Sequence, residues 1–239
     1  MFENKDVFIF DLDGTLIDSL GMWNEVDRLL ITFLGGDPLE ETARQMRRES
    51  LLAQFCKDPD PYVSYCSELK KIYNSALSPV DIKKKRYEIA EEFLRNAVCL
   101  KPGAAELLHA LKNAGKTLIL ASATSRKNVE IYSRENRAIY ENAHFPTLFS
   151  VIYTRDDVDE MKPSPAVYEK ALSALSVPPE RCLAVEDSLS GVQAAHAAGL
   201  DVVCVYDKHS ESDTSAIKEI ATAYFSDCFS LLSALTNGK

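Results

Sequence analysis

The chain has 239 residues, 46% apolar and 26% charged, an ordinary composition for a globular protein and a length for one to two domains; collagen-like, disulfide-dense and disordered classes are excluded. The net charge of −9 argues against a general nucleic-acid or anionic-membrane binder, because long-range repulsion opposes approach. An anionic substrate would need positive charge supplied by the site itself.

Residues 6–11 (DVFIFD) are too short and too aromatic for a helix and read as a buried strand. A turn follows at Gly14. From Leu20 to about Leu34 the apolar positions Met22, Trp23, Val26, Leu29, Leu30 and Phe33 follow helical spacing, and Gly35-Gly36-Asp37-Pro38 ends that helix. Further helices are expected near 40–56, 61–76 and 80–97, the last opened by a Ser78 cap and Pro79 in its first turn. No strand is read between about 18 and 98. Helix 103–114 then ends at Gly115. Strand 117–121, helices over about 126–142, strand 149–153, helix 165–176, strand 182–186 and helix 188–198 follow, with Ser188 capping the last. Strand 202–206, helix 214–221, strand 223–225 and helix 228–236 complete the chain. Strands alternating with helices imply an α/β fold with a mostly parallel sheet. The first strand is separated from the rest by an all-helical insert.

No apolar run approaches the ~18 residues a membrane helix needs. The opening MFENKDVFIF carries acids and does not read as a signal peptide, so a cytoplasmic location is expected. The six cysteines are scattered without a CxxC pair and read as reduced core thiols. The four histidines form no cluster, which argues against zinc.

In a parallel sheet, ligands bind beyond the carboxyl ends of the strands. Strand one ends in Asp11-Leu12-Asp13-Gly14-Thr15, and strand 117–121 in Ala121-Ser122. The loop after strand 149–153 leads through Asp156 and Asp157 to Lys162-Pro163, and strand 182–186 ends in Glu186-Asp187. Acids converging from two strands repel unless a cation binds between them. Oxygen ligands without histidine suggest Mg²⁺, beside which a hydroxyl and a lysine could grip a phosphate. Each piece alone has an ordinary structural use, as turn residue, helix cap or solvated lysine. Four of them in order at strand ends are harder to explain that way.

This series, Asp11-Leu12-Asp13-Gly14-Thr15-Leu16, Ser122, Lys162-Pro163 and Glu186-Asp187-Ser188 with Gly191, resembles the four-motif signature of the haloacid dehalogenase-like (HAD) superfamily over the whole chain. The helical insert resembles the subgroup of β-phosphoglucomutase and small-metabolite phosphatases. The resemblance implies a Rossmann-like core of residues 1–17 and 99–239. It also implies a helical cap of residues 18–98, mobile over the strand ends and excluding bulk water when closed. It implies that Asp11 is the nucleophile, forming an aspartyl-phosphate, and that Asp13 is the general acid and base. Alternate residues of a strand end face alike, so Leu12 would face away. Ser122 and Lys162 are implied catalytic partners, with the backbone at Leu12 and Ala123 joining them in binding phosphate. Asp11, the Asp13 carbonyl, Asp187 and Glu186 are the implied Mg²⁺ ligands, and Thr15 would steady the loop.

The expected function is a monomeric Mg²⁺-dependent phosphatase of a small phosphorylated metabolite, such as a sugar phosphate. The alternative is a β-phosphoglucomutase-like isomerase. That mutase pattern has a histidine restraining the acid–base aspartate, where this chain has Trp23, and a valine where it has Thr15. A phosphonate hydrolase or a dehalogenase proper would lack Asp13. A non-enzymatic receiver domain would be about half the length and without the insert. Gly115-Lys116-Thr117 lies between helix and strand, the reverse of a P-loop's order. The run Lys83-Lys84-Lys85-Arg86 reads as a solvated helix face. Arg44, Arg47 and Arg48 are candidates to read the substrate, and Trp23 reads as part of the cap core.

Overall fold

The structure is a computed structural model and describes residues 2, 4–55 and 58–236. In chain order the elements are β1 (Val7–Phe10), β2 (Ile17–Asp18), α1 (Leu20–Phe33), α2 (Glu41–Gln54), α3 (Pro61–Ile72), α4 (Pro79–Asn96) and β3 (Cys99–Leu100). Then come α5 (Ala104–Asn113), β4 (Thr117–Ala121), α6 (Arg126–Arg134), α7 (Arg137–Tyr140), α8 (Phe145–Leu148), β5 (Val151–Tyr153) and α9 (Ala166–Ser173). The chain closes with β6 (Cys182–Glu186), α10 (Leu189–Ala197), β7 (Asp201–Val205), α11 (Thr214–Ile220), β8 (Ala223–Phe225) and α12 (Cys228–Thr236).

It divides into two compact units, residues 1–19 with 98–239, and residues 20–97. The first unit is built on a six-stranded sheet ordered β5-β4-β1-β6-β7-β8, parallel throughout. All four residues of β1 are buried, which fits a central strand covered on both faces and explains its unbroken apolar sequence. Val7, Ile9, Ile119, Ala184, Val192 and Val202 are among its core residues. From β1 the chain fills one side of the sheet with β4 and β5, then returns to the other side as β6. That reversal places a crevice at the carboxyl ends of β1, β4 and β6.

The second unit is helical and has its own core of Leu30, Leu34, Tyr65, Cys66, Leu69 and Ile82. Asp60 and Ser78 accept from the amides of Val63 and Asp81, capping α3 and α4, each with proline in the first turn.

Several local expectations need correction. The antiparallel pair β2–β3, with Ile17 opposite Leu100 and Asp18 opposite Cys99, was not foreseen. Two residues per strand are too few to show alternation. The helices expected over 126–142 are present as α6 and α7, divided where Asn136 caps the second by accepting from the Ile139 amide. Strand β5 begins at Val151, since Phe149 completes α8. The basic run on α4 is not wholly a solvated face. Arg86 is only 1% exposed. Its Nε donates to Asp27 Oδ1 at 2.7 Å, and its guanidinium lies 4.6 Å from the Trp23 ring centroid and 5.3 Å from that of Tyr62. Helical spacing puts Arg86 on the Ile82 and Ala90 face, and the Asp27 carboxylate makes its burial tolerable.

Cys66, Cys182, Cys204 and Cys228 are buried free thiols; Cys99 is free but exposed, and Cys56 lies outside the described residues. Among the described residues no helix is long and apolar enough to cross a membrane.

Candidate active site

Asp11 directly follows β1, and its amide continues the ladder by donating to the Val185 carbonyl at 2.9 Å. The chain then turns through Gly14, whose φ of +93° favours glycine. Leu12 is fully buried, whereas Asp11 keeps 6% of its surface and Asp13 is half-buried. Lys162, far along the chain, joins Asp11 to the end of β6. Its Nζ donates to Asp11 Oδ1 and Glu186 Oε1, both at 2.6 Å, and to the Ala121 carbonyl at 3.0 Å. Tyr168 of α9 donates to the same Glu186 oxygen at 2.5 Å. Thr15 donates to Asp187 Oδ1 at 2.8 Å, tying the loop after β1 to the end of β6.

Asp11, Glu186 and Asp187 each contribute an oxygen to a group lying within 4.8 Å of one another, all three residues buried. Burial pushes the Asp11 carboxyl up to about 7 against the pull of Lys162, and Glu186 and Asp13 add to the rise. Burial, then Asp11 and Glu186, push Asp187 well above the usual carboxylate range. Burial opposes charge on Lys162, but the two carboxylates outweigh it and hold the ammonium above its ordinary value.

Among the described residues, these three buried carboxylates face one ammonium, that of Lys162, and Asp187 Oδ2 is buried without a hydrogen-bond partner. That orphaned oxygen within an all-oxygen donor set fits a hard divalent cation such as Mg²⁺. Gly191 is part of the same construction. Its amide donates to the Ser188 cap, and a Cβ there would stand 2.0 Å from Glu186 Oε2.

A matching sequence profile and related sequences decide the family. A profile described as haloacid dehalogenase-like hydrolase matches residues 5–199. The chain belongs to the haloacid dehalogenase-like hydrolases. The HAD chain is 33% identical over 228 residues to Protein CbbY of Cereibacter sphaeroides, covering 86% of this chain and 87% of that one. It is 31% identical over 218 residues to the phosphorylated carbohydrates phosphatase of Thermotoga maritima, covering 90% of each. Among solved structures, a point mutant of CbbY from Rhodobacter sphaeroides in complex with xylulose-1,5-bisphosphate superposes with a TM-score of 0.72. It has 28% identity, over 94% of this chain and 95% of that one.

Within the HAD site, the other sequence candidates are placed as follows. Asp13 is outside the three-acid group, and its Oδ1 accepts from Ser19 Oγ at 2.5 Å and Tyr132 Oη at 3.1 Å. Burial raises its carboxyl, with the hydroxyls of Ser19, Tyr132 and Thr124 pulling it back. Ser122 is 1% exposed at the end of β4, where its hydroxyl accepts from the Thr124 amide at 3.1 Å. Ala123 lies half-buried in that turn. Asp157 accepts from the Thr154 amide in its own turn and from Arg126 Nη2 at 2.6 Å, and Asp156 accepts from the Arg126 amide, so both acids tie the loop after β5 to the start of α6.

The three insert arginines have partners inside the insert. Arg44 donates to the Leu39 carbonyl, Arg47 to the Tyr73 hydroxyl at 3.1 Å and Arg48 to Asp27 at 2.9 Å. Trp23 is half-buried edge-on to Tyr87. Sequence reasoning missed Ser19, Tyr132 and Tyr168. The two tyrosines lie on amphipathic helices, where an aromatic residue reads as core, and only the fold brings each hydroxyl to a carboxylate.

Proposed function

We propose that this HAD hydrolase is a Mg²⁺-dependent phosphatase of small phosphorylated metabolites, with sugar phosphates the leading class, acting through an aspartyl-phosphate on Asp11. The observation that carries the reading is the convergence of Asp11, Lys162, Glu186 and Asp187 around an orphaned carboxylate oxygen, with Asp13 two residues from the nucleophile. The relatives named as a carbohydrate phosphatase and as a protein complexed with a sugar bisphosphate support the substrate class.

Asp11 attacks phosphorus and the bond to the leaving oxygen breaks, while Asp13 gives that oxygen a proton. Water then attacks the phosphoryl group, Asp13 takes its proton, and the phosphorus bond to Asp11 breaks to release phosphate. Lys162 offsets charge on Asp11 and on the phosphoryl oxygens, and Tyr168 helps hold Glu186 beside it. Ser122, with backbone amides at Leu12 and Ala123, would hold those oxygens. Asp11, Glu186, Asp187 and the Asp13 carbonyl would hold Mg²⁺. Bound there, the ion supplies charge that lets an anionic nucleophile meet an anionic phosphate.

The test is phosphate release from a panel of sugar phosphates, nucleotides and small acid phosphates, with and without Mg²⁺, beside Asp11→Asn. Metal-dependent release that is absent in the variant is expected. Undiminished release from Asp11→Asn overturns the nucleophile assignment. Isomerisation of β-glucose 1-phosphate with a bisphosphate primer, and no release from any substrate, overturns hydrolysis in favour of a mutase.

A further inference from the structure

Tyr132 lies on α6, which opens at the Ser125 cap, and its side chain is buried with 1% exposure. A phenol hydroxyl so buried needs an acceptor, and here it reaches the acidic loop after β1. It donates to Asp13 Oδ1 at 3.1 Å, the oxygen that also accepts from Ser19 at 2.5 Å. Ser19 is fully buried. A carboxylate oxygen has about two acceptor positions, so both at Oδ1 are occupied. Thr124 adds a hydroxyl to the same carboxylate and is itself held by the Asn128 amide group at 2.9 Å. The plane of the carboxyl group is thus fixed by hydroxyls from two distant stretches of chain, Ser19 and Tyr132.

We propose that Tyr132 is a positioning residue for Asp13, orienting its carboxyl group so that Oδ2 faces the leaving oxygen; this rests on the phosphatase reading above. Ser19 acts with it from the other side. Tyr132 touches neither substrate nor the reacting phosphorus in this role.

Tyr132→Phe keeps the ring and removes only the donor, so thermal unfolding should stay close to wild type. The reading is kcat/KM, which reports steps through phosphoryl transfer to Asp11, on two probes. A sugar phosphate has an alkyl leaving oxygen that needs a proton, whereas 4-nitrophenyl phosphate has a leaving group that departs without one. Tyr132→Phe should lower kcat/KM for the sugar phosphate by about tenfold and for the aryl phosphate by less than about twofold. Ser19→Ala should show the same selectivity. Equal losses on both probes mean a merely structural tyrosine and overturn the proposal, as does no loss on either. A wild-type chain that hydrolyses neither probe overturns the phosphatase reading itself, and the proposal with it.

Discussion

Gly191→Ala tests whether the position of Glu186 matters. The new Cβ would lie 2.0 Å from Oε2, 2.1 Å from the carboxyl carbon and 2.2 Å from Oε1, where ordinary contact lies at 3.4–4 Å. The carboxylate must retreat by about 1.4 Å. A free glutamate would rotate away, but this one is fully buried and pinned by Lys162 at 2.6 Å, Tyr168 at 2.5 Å and the Asp187 amide at 3.3 Å.

Two effects oppose each other. Alanine favours the first turn of α10 by up to ~1 kcal/mol. Overpacking costs ~1–3 kcal/mol, and weakening a charged hydrogen bond adds ~1.5–3 kcal/mol. The clash should win, with a net loss of about 2–4 kcal/mol. A shift of ~1 Å in a catalytic constellation costs on the order of 10²-fold in rate. Urea unfolding and kcat/KM at saturating Mg²⁺ measure the two. A variant with wild-type kcat/KM and equal or higher stability would refute the reasoning.

Asp27→Ala should destabilise the insert by about 3–5 kcal/mol, because it leaves the buried Arg86 guanidinium without its carboxylate; a urea-derived loss below about 1 kcal/mol would contradict that. In chelator, wild-type thermal stability should fall as pH rises. Asp11 is raised from 3.8 to about 7, so between those values the folded chain holds a proton that the unfolded chain releases. Below that window both states are protonated and the penalty vanishes; above it the penalty is complete. Asp11→Asn should show a shallower fall, with Asp13 and Asp187 acting in the same sense, and added Mg²⁺ should flatten the wild-type curve by favouring the ionised acids. Identical slopes for wild type and Asp11→Asn would count against the burial argument.

Much of the fold was legible in local sequence because its determinants are local. The apolar run of β1, the Ser78-Pro79 and Ser188 starts and the glycines closing α5 and α10 each declare an element within a few residues. The acidic ends of β1 and β6, Ser122 and Lys162 stood out as residue types at strand ends, and parallel topology alone predicts that such ends meet. That inference needed no distances.

Tertiary structure decided which side chains touch. Lys162 bonds Asp11 across 151 positions, and Tyr132 bonds Asp13 across 119. No periodicity encodes such pairs, because a helix pattern reports only that a face is buried and not what lies opposite. The same limit hid Arg86, whose neighbours in sequence are lysines but whose helical face meets Asp27. Residue types and their order thus determined the sheet and the acids at its edge. The burial that raises those acids, the orphaned oxygen of Asp187 and the hydroxyls that orient Asp13 arise only when distant segments pack and exclude water from between them.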